Sequence, residues 1–395
     1  MQAPEIAAAH RTVWLLSACQ ALLLTTGVTL IAVSALAGYM LAETKAFATL
    51  PATAYVLGSW VSTIPASLYM KRVGRRAGFI AGGACGMVAS GVASLGMAMG
   101  SLTVLCIGTF LFGIYNAFGQ YYRFAAADAA PAEFKAKAIS YVLAGGLVGG
   151  IVGPSVSQWT RELVQPTYLA TFASLSLVAL AAIAILSRLS IASQAESAAE
   201  GPQRPLAEIA AQPVFIVAAT VAAFGYATMT LLMTATPLAM GFCGHPYSAA
   251  ASVISAHVIG MFAPSFVTGS LIKRFGVLTI MAAGVAILFL CIAIGLSGQA
   301  IAHFSLALVL LGIGWNFCYI GGSTLLTRAY RPSERAKVQG ANEMAVFTVQ
   351  AVASFSSGLL VNTRGWDTLN YVAIPMVATC AIALAWLAAS SRRSA

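Results

Sequence analysis

Twelve apolar segments, each about 20 residues or longer and parted by short polar loops, decide the solvent in which this chain folds. At about 1.5 Å of rise per residue, each is long enough as a helix to cross a hydrocarbon core of roughly 30 Å. Inside lipid every backbone N–H and C=O must be paired within the segment itself, which leaves helices as the spanning element. The segments lie at 12–40, 47–70, 77–99, 101–126, 138–159, 166–189, 213–240, 248–272, 277–298, 302–327, 339–362 and 367–391. With 59% hydrophobic residues, 8% charged ones and a mean hydropathy of +0.87, the chain has no polar surface to clothe a water-soluble globule. The sequence predicts an all-α membrane protein of twelve transmembrane helices. Its polar start, MQAPEIAAAH, lacks a basic region ahead of a short apolar run, so the first helix is expected to be retained.

A net charge of +10 would suit a nucleic-acid binder, but the positions of the charges point elsewhere. Of 21 Lys and Arg, 17 fall in the termini or in the loops around 71–76, 135–137, 188–204, 273–274 and 328–337. These are alternate loops, as the excess of basic residues on the cytoplasmic side requires, so both termini are expected in the cytoplasm of a bacterial inner-membrane protein. Seven cysteines form no CxxC pair, and six lie inside apolar spans, which argues against a disulfide framework. No phosphate-binding GxxxxGK[ST] loop is present, so nothing here hydrolyses ATP, and no enzymatic constellation or cofactor site is visible.

The stretch 191–212, IASQAESAAEGPQRPLAEIAAQ, separates six spans from six and reads as a cytoplasmic linker between bundles at 1–190 and 213–395. The halves repeat. SLYMKRVG at 67–74 matches GSLIKRFG at 269–276, so that Lys71-Arg72-x-Gly74 is echoed by Lys273-Arg274-x-Gly276. LFGIYNAFG likewise matches LLGIGWNFC, and Pro131-x-Glu133 matches Pro332-x-Glu334. A 6+6 chain with these loops resembles the major facilitator superfamily along essentially its whole length. The resemblance implies a substrate site near the midplane between two halves, and alternating access by rocking around it. The family's loop after the second helix carries an acid where this chain has Lys71, so the usual form of its cytoplasmic latch is in doubt.

Two pairs of side chains inside the spans carry the chemistry. Met229 and Met233 in the seventh span, and His257 and Met261 in the eighth, are each spaced i, i+4 and so share a helix face. Three thioethers and one imidazole suit a soft monovalent metal, above all Cu(I). Packing is the alternative for MxxxM alone, since Met commonly fills gaps, whereas an ionisable residue inside a span is costly and usually functional. The pairing resembles that of the CcoA-like copper importers, marked by MxxxM in helix 7 and HxxxM in helix 8. That resemblance implies import of copper across the bacterial inner membrane, supply to a haem-copper oxidase, and the four residues as ligands along the path. A periplasmic copper donor and a cytoplasmic copper chaperone would be its partners. Relatives within this group are also described as riboflavin transporters.

Other polar residues fill in the expectation. Met240, Cys243 and His245, at the outer end of the seventh span and in the loop beyond it, form a candidate metal-entry set, with a Gly/Pro turn facing water as the alternative. Asn116, Gln120, Tyr121, Tyr122 and Arg123 form a polar run in the fourth span, with Asp128 at its end. Arg123 is expected to pair with Asp128 or Glu343 as a gate, and Glu343 is the leading proton-coupling candidate. Gly145, Gly146, Gly149, Gly150, Gly153 and Pro154 permit close packing of the fifth span and resemble the motif of proton-coupled antiporters. The sequence thus predicts a monomeric secondary transporter importing Cu(I), with a proton-coupled organic-solute carrier, for vitamin uptake or drug efflux, as the alternative.

Overall fold

The computed structural model describes residues 3–43, 50–189 and 203–393, and all regular structure among them is helical. In order the helices are α1 (Ala3–Leu41), α2 (Leu50–Val73), α3 (Arg75–Ala98), α4 (Leu102–Gly119), α5 (Tyr122–Ala129), α6 (Lys135–Thr160) and α7 (Leu169–Leu186). There follow α8 (Leu206–Ala210), α9 (Pro213–Phe242), α10 (Tyr247–Phe262), α11 (Ser265–Phe275), α12 (Val277–Ser297), α13 (Ile301–Leu326) and α14 (Arg335–Arg393). Ten spans among the described residues are long and apolar enough to cross a membrane, counting α4 with α5 and α10 with α11 as one each. The 59 residues of α14 cannot be one span; Gly365, with φ 78°, divides it in two.

The helix boundaries follow from local chemistry. Gly74 (φ 87°) and Gly276 (φ 86°) take a backbone conformation that side chains disfavour, which gives the repeated Lys-Arg-x-Gly loops their glycine. Ser101 caps α4 through the Val104 N–H at 3.4 Å, and α9 begins with Pro213 at its first turn. Two spans expected to be single helices are broken. The eighth parts at Ala263–Pro264, where proline has no N–H to return to the preceding turn. The fourth parts at Gln120–Tyr121. Of the expected linker, residues 191–202 lie outside those described, while the remainder holds the short helix α8.

By internal packing the chain divides into residues 1–132 with 145–199, and 133–144 with 200–395. In the first unit α2 crosses α4 at Gly58 and Gly113, where an added Cβ would collide with the carbonyl oxygens of Phe110 and Tyr55. In the second, α10 crosses α13 at Gly260 and Gly312. There a Cβ on Gly312 would lie 2.6 Å from the Met261 nitrogen and 2.7 Å from the His257 oxygen. Gly113 and Gly312 occupy matching places in LFGIYNAFG and LLGIGWNFC, so the repeat is a repeated crossing. Small residues let backbones approach where lipid offers no hydrophobic drive to bring helices together. Gly145, Gly149 and Gly153 of α6 serve the same end against Ser17, Ala21 and Val28 of α1, and the Thr29 hydroxyl donates to the Gly153 carbonyl at 2.9 Å.

Leucine at Gly312 is expected to lower the thermal midpoint of the detergent-solubilised protein, because overpacking costs roughly 1–3 kcal/mol or more. Gly241→Ala, at a position with nothing within 4 Å of an added Cβ, is expected to leave it unchanged. An equal response of the two variants would refute the crossing as the source.

Candidate functional site

The second unit is built around α13, whose faces have distinct neighbours. Gly314 and Gly321 meet Leu288 and Met281 of α12, while Gly322 meets Ala218 and Ala222 of α9 and Cys318 meets Gly225 of α9. Gly312 meets the α10 backbone at His257 and Met261. At the same crossing the His257 ring, fully buried, sets its Nδ1 2.7 Å from the Leu308 carbonyl oxygen. A carbonyl only accepts, so Nδ1 carries the proton and the neutral ring presents the Nε2 lone pair, which is buried without a partner.

Met261, one turn along, is buried, and Asn316 of α13 donates from Nδ2 to its backbone carbonyl at 2.7 Å. That carbonyl lies just before the break at Ala263–Pro264 and would otherwise lack its helical partner. Thr268 donates to the Asn316 Oδ1 at 2.7 Å, and Asn316 donates to the Ser265 hydroxyl at 2.5 Å. The break therefore rests on a bonded polar frame within the second unit. Met229 is buried in α9, one turn beyond Gly225, and Met233 is half-buried a turn further. Among the described residues no three of His, Cys, Asp and Glu gather as a metal-holding group, so soft-metal binding would fall to thioethers and the one imidazole.

The loop after α9 is tied down. Met240 is fully buried, while Cys243 and His245 both turn to Gln299: the thiol donates to its Oε1 at 3.1 Å and the imidazole Nε2 to its carbonyl at 2.7 Å. The His245 ring lies edge-on to Phe304 at 6.1 Å. The basic loop residues Lys71, Arg72, Lys273 and Arg274 are exposed, and Lys273 reaches Glu133 only at 3.8 Å across a solvated surface where such pairs contribute little.

In the first unit the loop's Arg75 grips Asp128 at 3.0 Å, with both side chains largely buried. Arg123, 2% exposed, donates from Nη1 to the Gln120 backbone oxygen at 2.9 Å and stacks over Phe124 at 4.4 Å. The chain of bonds continues from Gln120 to Asn116 and from Asn116 to Ser59, each 3.1 Å. A guanidinium on the last carbonyls of α4 is a favourable cation at a helix C-terminus. Glu343, on α14, is fully buried and accepts from Asn342 Nδ2 at 2.8 Å. Lys337 donates to the Arg204 carbonyl.

Two features escaped the sequence reading. One is a clamp on Arg204, in the expected linker: its Nε and Nη2 meet the Glu334 carboxylate at 2.8 and 2.6 Å, and its backbone N–H adds a bond at 3.1 Å. Glu334 is fully buried, and the Arg204 hydrogen bonds hold its carboxyl down at about 2, against the opposing cost of burial. The repeated Pro-x-Glu was the signal, but its earlier copy places Glu133 in solvent. The other is an aromatic group. Trp315 and Tyr319 of α13 stack at 5.0 Å and 22°, with Tyr226 of α9 edge-on to both at 5.4 and 5.2 Å and Phe262 of α10 edge-on to Trp315 at 5.9 Å. The i, i+4 spacing of Trp315 and Tyr319 was legible.

The family model of the Major Facilitator Superfamily matches residues 16–317 and 219–395. The chain is 39% identical over 384 residues to the riboflavin transporter RfnT of Brucella anthropi, covering 96% of each protein. It is 30% identical over 370 residues to the uncharacterized MFS-type transporter YdeG of Bacillus subtilis, covering 88% of this chain and 84% of that one. Its fold is similar to that of the proton:xylose symporter XylE (TM-score 0.78, 13% identity, 96% of this chain and 95% of that one). It is similar too to an outward-facing bacterial homologue of the iron transporter ferroportin (TM-score 0.73, 13% identity, 96% and 99%).

The Arg204 clamp generates a pH signature. The Glu334 carboxyl sits at 4.5 in its ordinary state and about 2 here, so its contribution is complete above about pH 5 and is lost as pH falls toward 2. Arg204→Gln is expected to lower the thermal midpoint by several degrees at pH 7, with the gap to wild type narrowing by pH 3. A gap independent of pH would exclude the pair as its origin.

Proposed function

This chain belongs to the Major Facilitator Superfamily and is a secondary transporter, and we propose that it takes up a riboflavin-like organic solute across the bacterial inner membrane. The observation that carries the reading is the 39% identity to a riboflavin transporter, sustained over 96% of both chains rather than confined to shared loops. In this reading two six-helix halves, 1–190 and 213–395, are joined by the linker 191–212, with both termini cytoplasmic. Transport proceeds by alternating access around a site near the midplane. Glu343, a fully buried acid near the start of its span, is its proton-coupling residue, and Arg123 its gate.

One observation favours a second reading, Cu(I) import of the CcoA-like kind. The His257 Nε2 lone pair is buried and unpartnered on the same helix face as the buried Met261 thioether, and Met229 is buried in α9. A lone pair flanked by thioether sulfur is a ligand set for a soft cation, with Met233 assisting and Met240, Cys243 and His245 as entry. A periplasmic copper donor and a cytoplasmic copper chaperone would then be partners.

Expression in a riboflavin-auxotrophic bacterium lacking its own uptake system decides between them. The chain is expected to restore growth at low riboflavin, with radiolabelled copper accumulating no faster than in cells with empty vector. Copper accumulation that disappears in Met229→Ala and His257→Ala, without riboflavin rescue, would replace the first reading by the second. In proteoliposomes Glu343→Gln is expected to abolish accumulation driven by a proton gradient while leaving riboflavin exchange intact. Unchanged accumulation would remove Glu343 from coupling.

A further inference from the structure

We infer that Trp315, Tyr319, Tyr226 and Phe262 form the surface on which the flat heteroaromatic ring of the substrate is held. The inference rests on the organic-solute reading and names the residues that would realise it.

Three observations of the second unit converge. First, the rings gather on the strip of α13 between its α9 and α10 faces. Gly312 and Asn316 face α10, Cys318 and Gly322 face α9, and Gly314 and Gly321 face α12. At 100° per residue Trp315 and Tyr319 fall between the α9 and α10 faces, and the rings contributed by those two helices, Tyr226 and Phe262, meet there edge-on. Glycines of α13 sit at its closest approaches to other helices, while Trp315 and Tyr319 meet the rings of α9 and α10 between those approaches.

Second, the Trp315 Nε1–H is buried without an acceptor while its residue is 2% exposed. An apolar core has no use for such a donor, which costs about 1–3 kcal/mol when buried unpaired. A carbonyl or ring nitrogen on a planar ligand would satisfy it. Third, the level is that of a transport site. Trp315 and Tyr319 are the fifteenth and nineteenth of the 26 residues of α13, and Phe262 ends α10 at the break over Ala263–Pro264. Interrupted helices at mid-depth are where carriers of this architecture bind their cargo. Stacked and edge-on rings complement a polarisable, electron-poor heteroaromatic face such as a flavin's, with no matching affinity for an aliphatic polyol.

The test uses the full chain in lipid nanodiscs and three probes: riboflavin, the ring-only analogue lumichrome, and ribitol. Wild type is expected to bind the first two and not the third. Trp315→Leu and Tyr319→Leu are expected to weaken ring binding by roughly ten-fold or more, the size of a lost stacking partner. Trp315→Phe, which keeps a ring but loses the N–H, is expected to weaken it less and guards against a leucine variant that fails to fold. If folded leucine variants bind riboflavin as wild type does, the ring surface is overturned and the uptake reading stands. If wild type binds lumichrome through Trp315 but does not carry riboflavin, the surface stands and riboflavin falls as cargo. Wild type binding neither flavin probe overturns both.

Discussion

The approach of α10 to α13 at Gly260 and Gly312 is the contact on which the second unit depends. Backbone meets backbone there, with no side chain between the two glycines. That distance brings the Leu308 carbonyl within reach of the His257 ring and lets Asn316 take over the Met261 carbonyl left by the helix break. A methylene or two more between these helices would separate the histidine from its acceptor and leave the interrupted helix with an unpaired oxygen in lipid, where each such group costs several kcal/mol. The equivalent crossing of α2 and α4 holds Ser59 against the Gly113 carbonyl at 3.2 Å. The same geometry thus serves both halves with different polar passengers.

The passengers differ in chemistry from one crossing to the other. Around the first crossing they are hydroxyl, amide and guanidinium, running from Ser59 through Asn116 and Gln120 to Arg123. Around the second they are an imidazole acceptor, thioethers and aromatic rings. Fold alone says nothing of substrate, as the similarity to both a sugar symporter and a ferroportin homologue illustrates.

Much of the fold was legible because lipid makes it so: long apolar runs become helices, and basic loops and glycine repeats mark turns and crossings. Interruptions were less legible. Pro264 announces a break, but nothing local distinguishes Gln120–Tyr121 from the rest of its span, where the Arg123 guanidinium folds back on the Gln120 carbonyl. The soft pairs around Met229 and His257 were visible as spacing, yet their meaning was not, because thioethers pack as readily as they ligate. Trp315 and Tyr319 read as ordinary apolar content in the sequence, and only the structure gathers them with Tyr226 and Phe262. The Arg204–Glu334 clamp joins residues 130 apart, a pairing no periodicity reveals.

The bond from His257 to Leu308 has one more effect. By committing the ring's only proton to a backbone oxygen, it turns a side chain that could donate or accept into one that can only accept. The tautomer of a buried imidazole is thus set by the distance between two helix backbones, not by any residue beside it in the sequence.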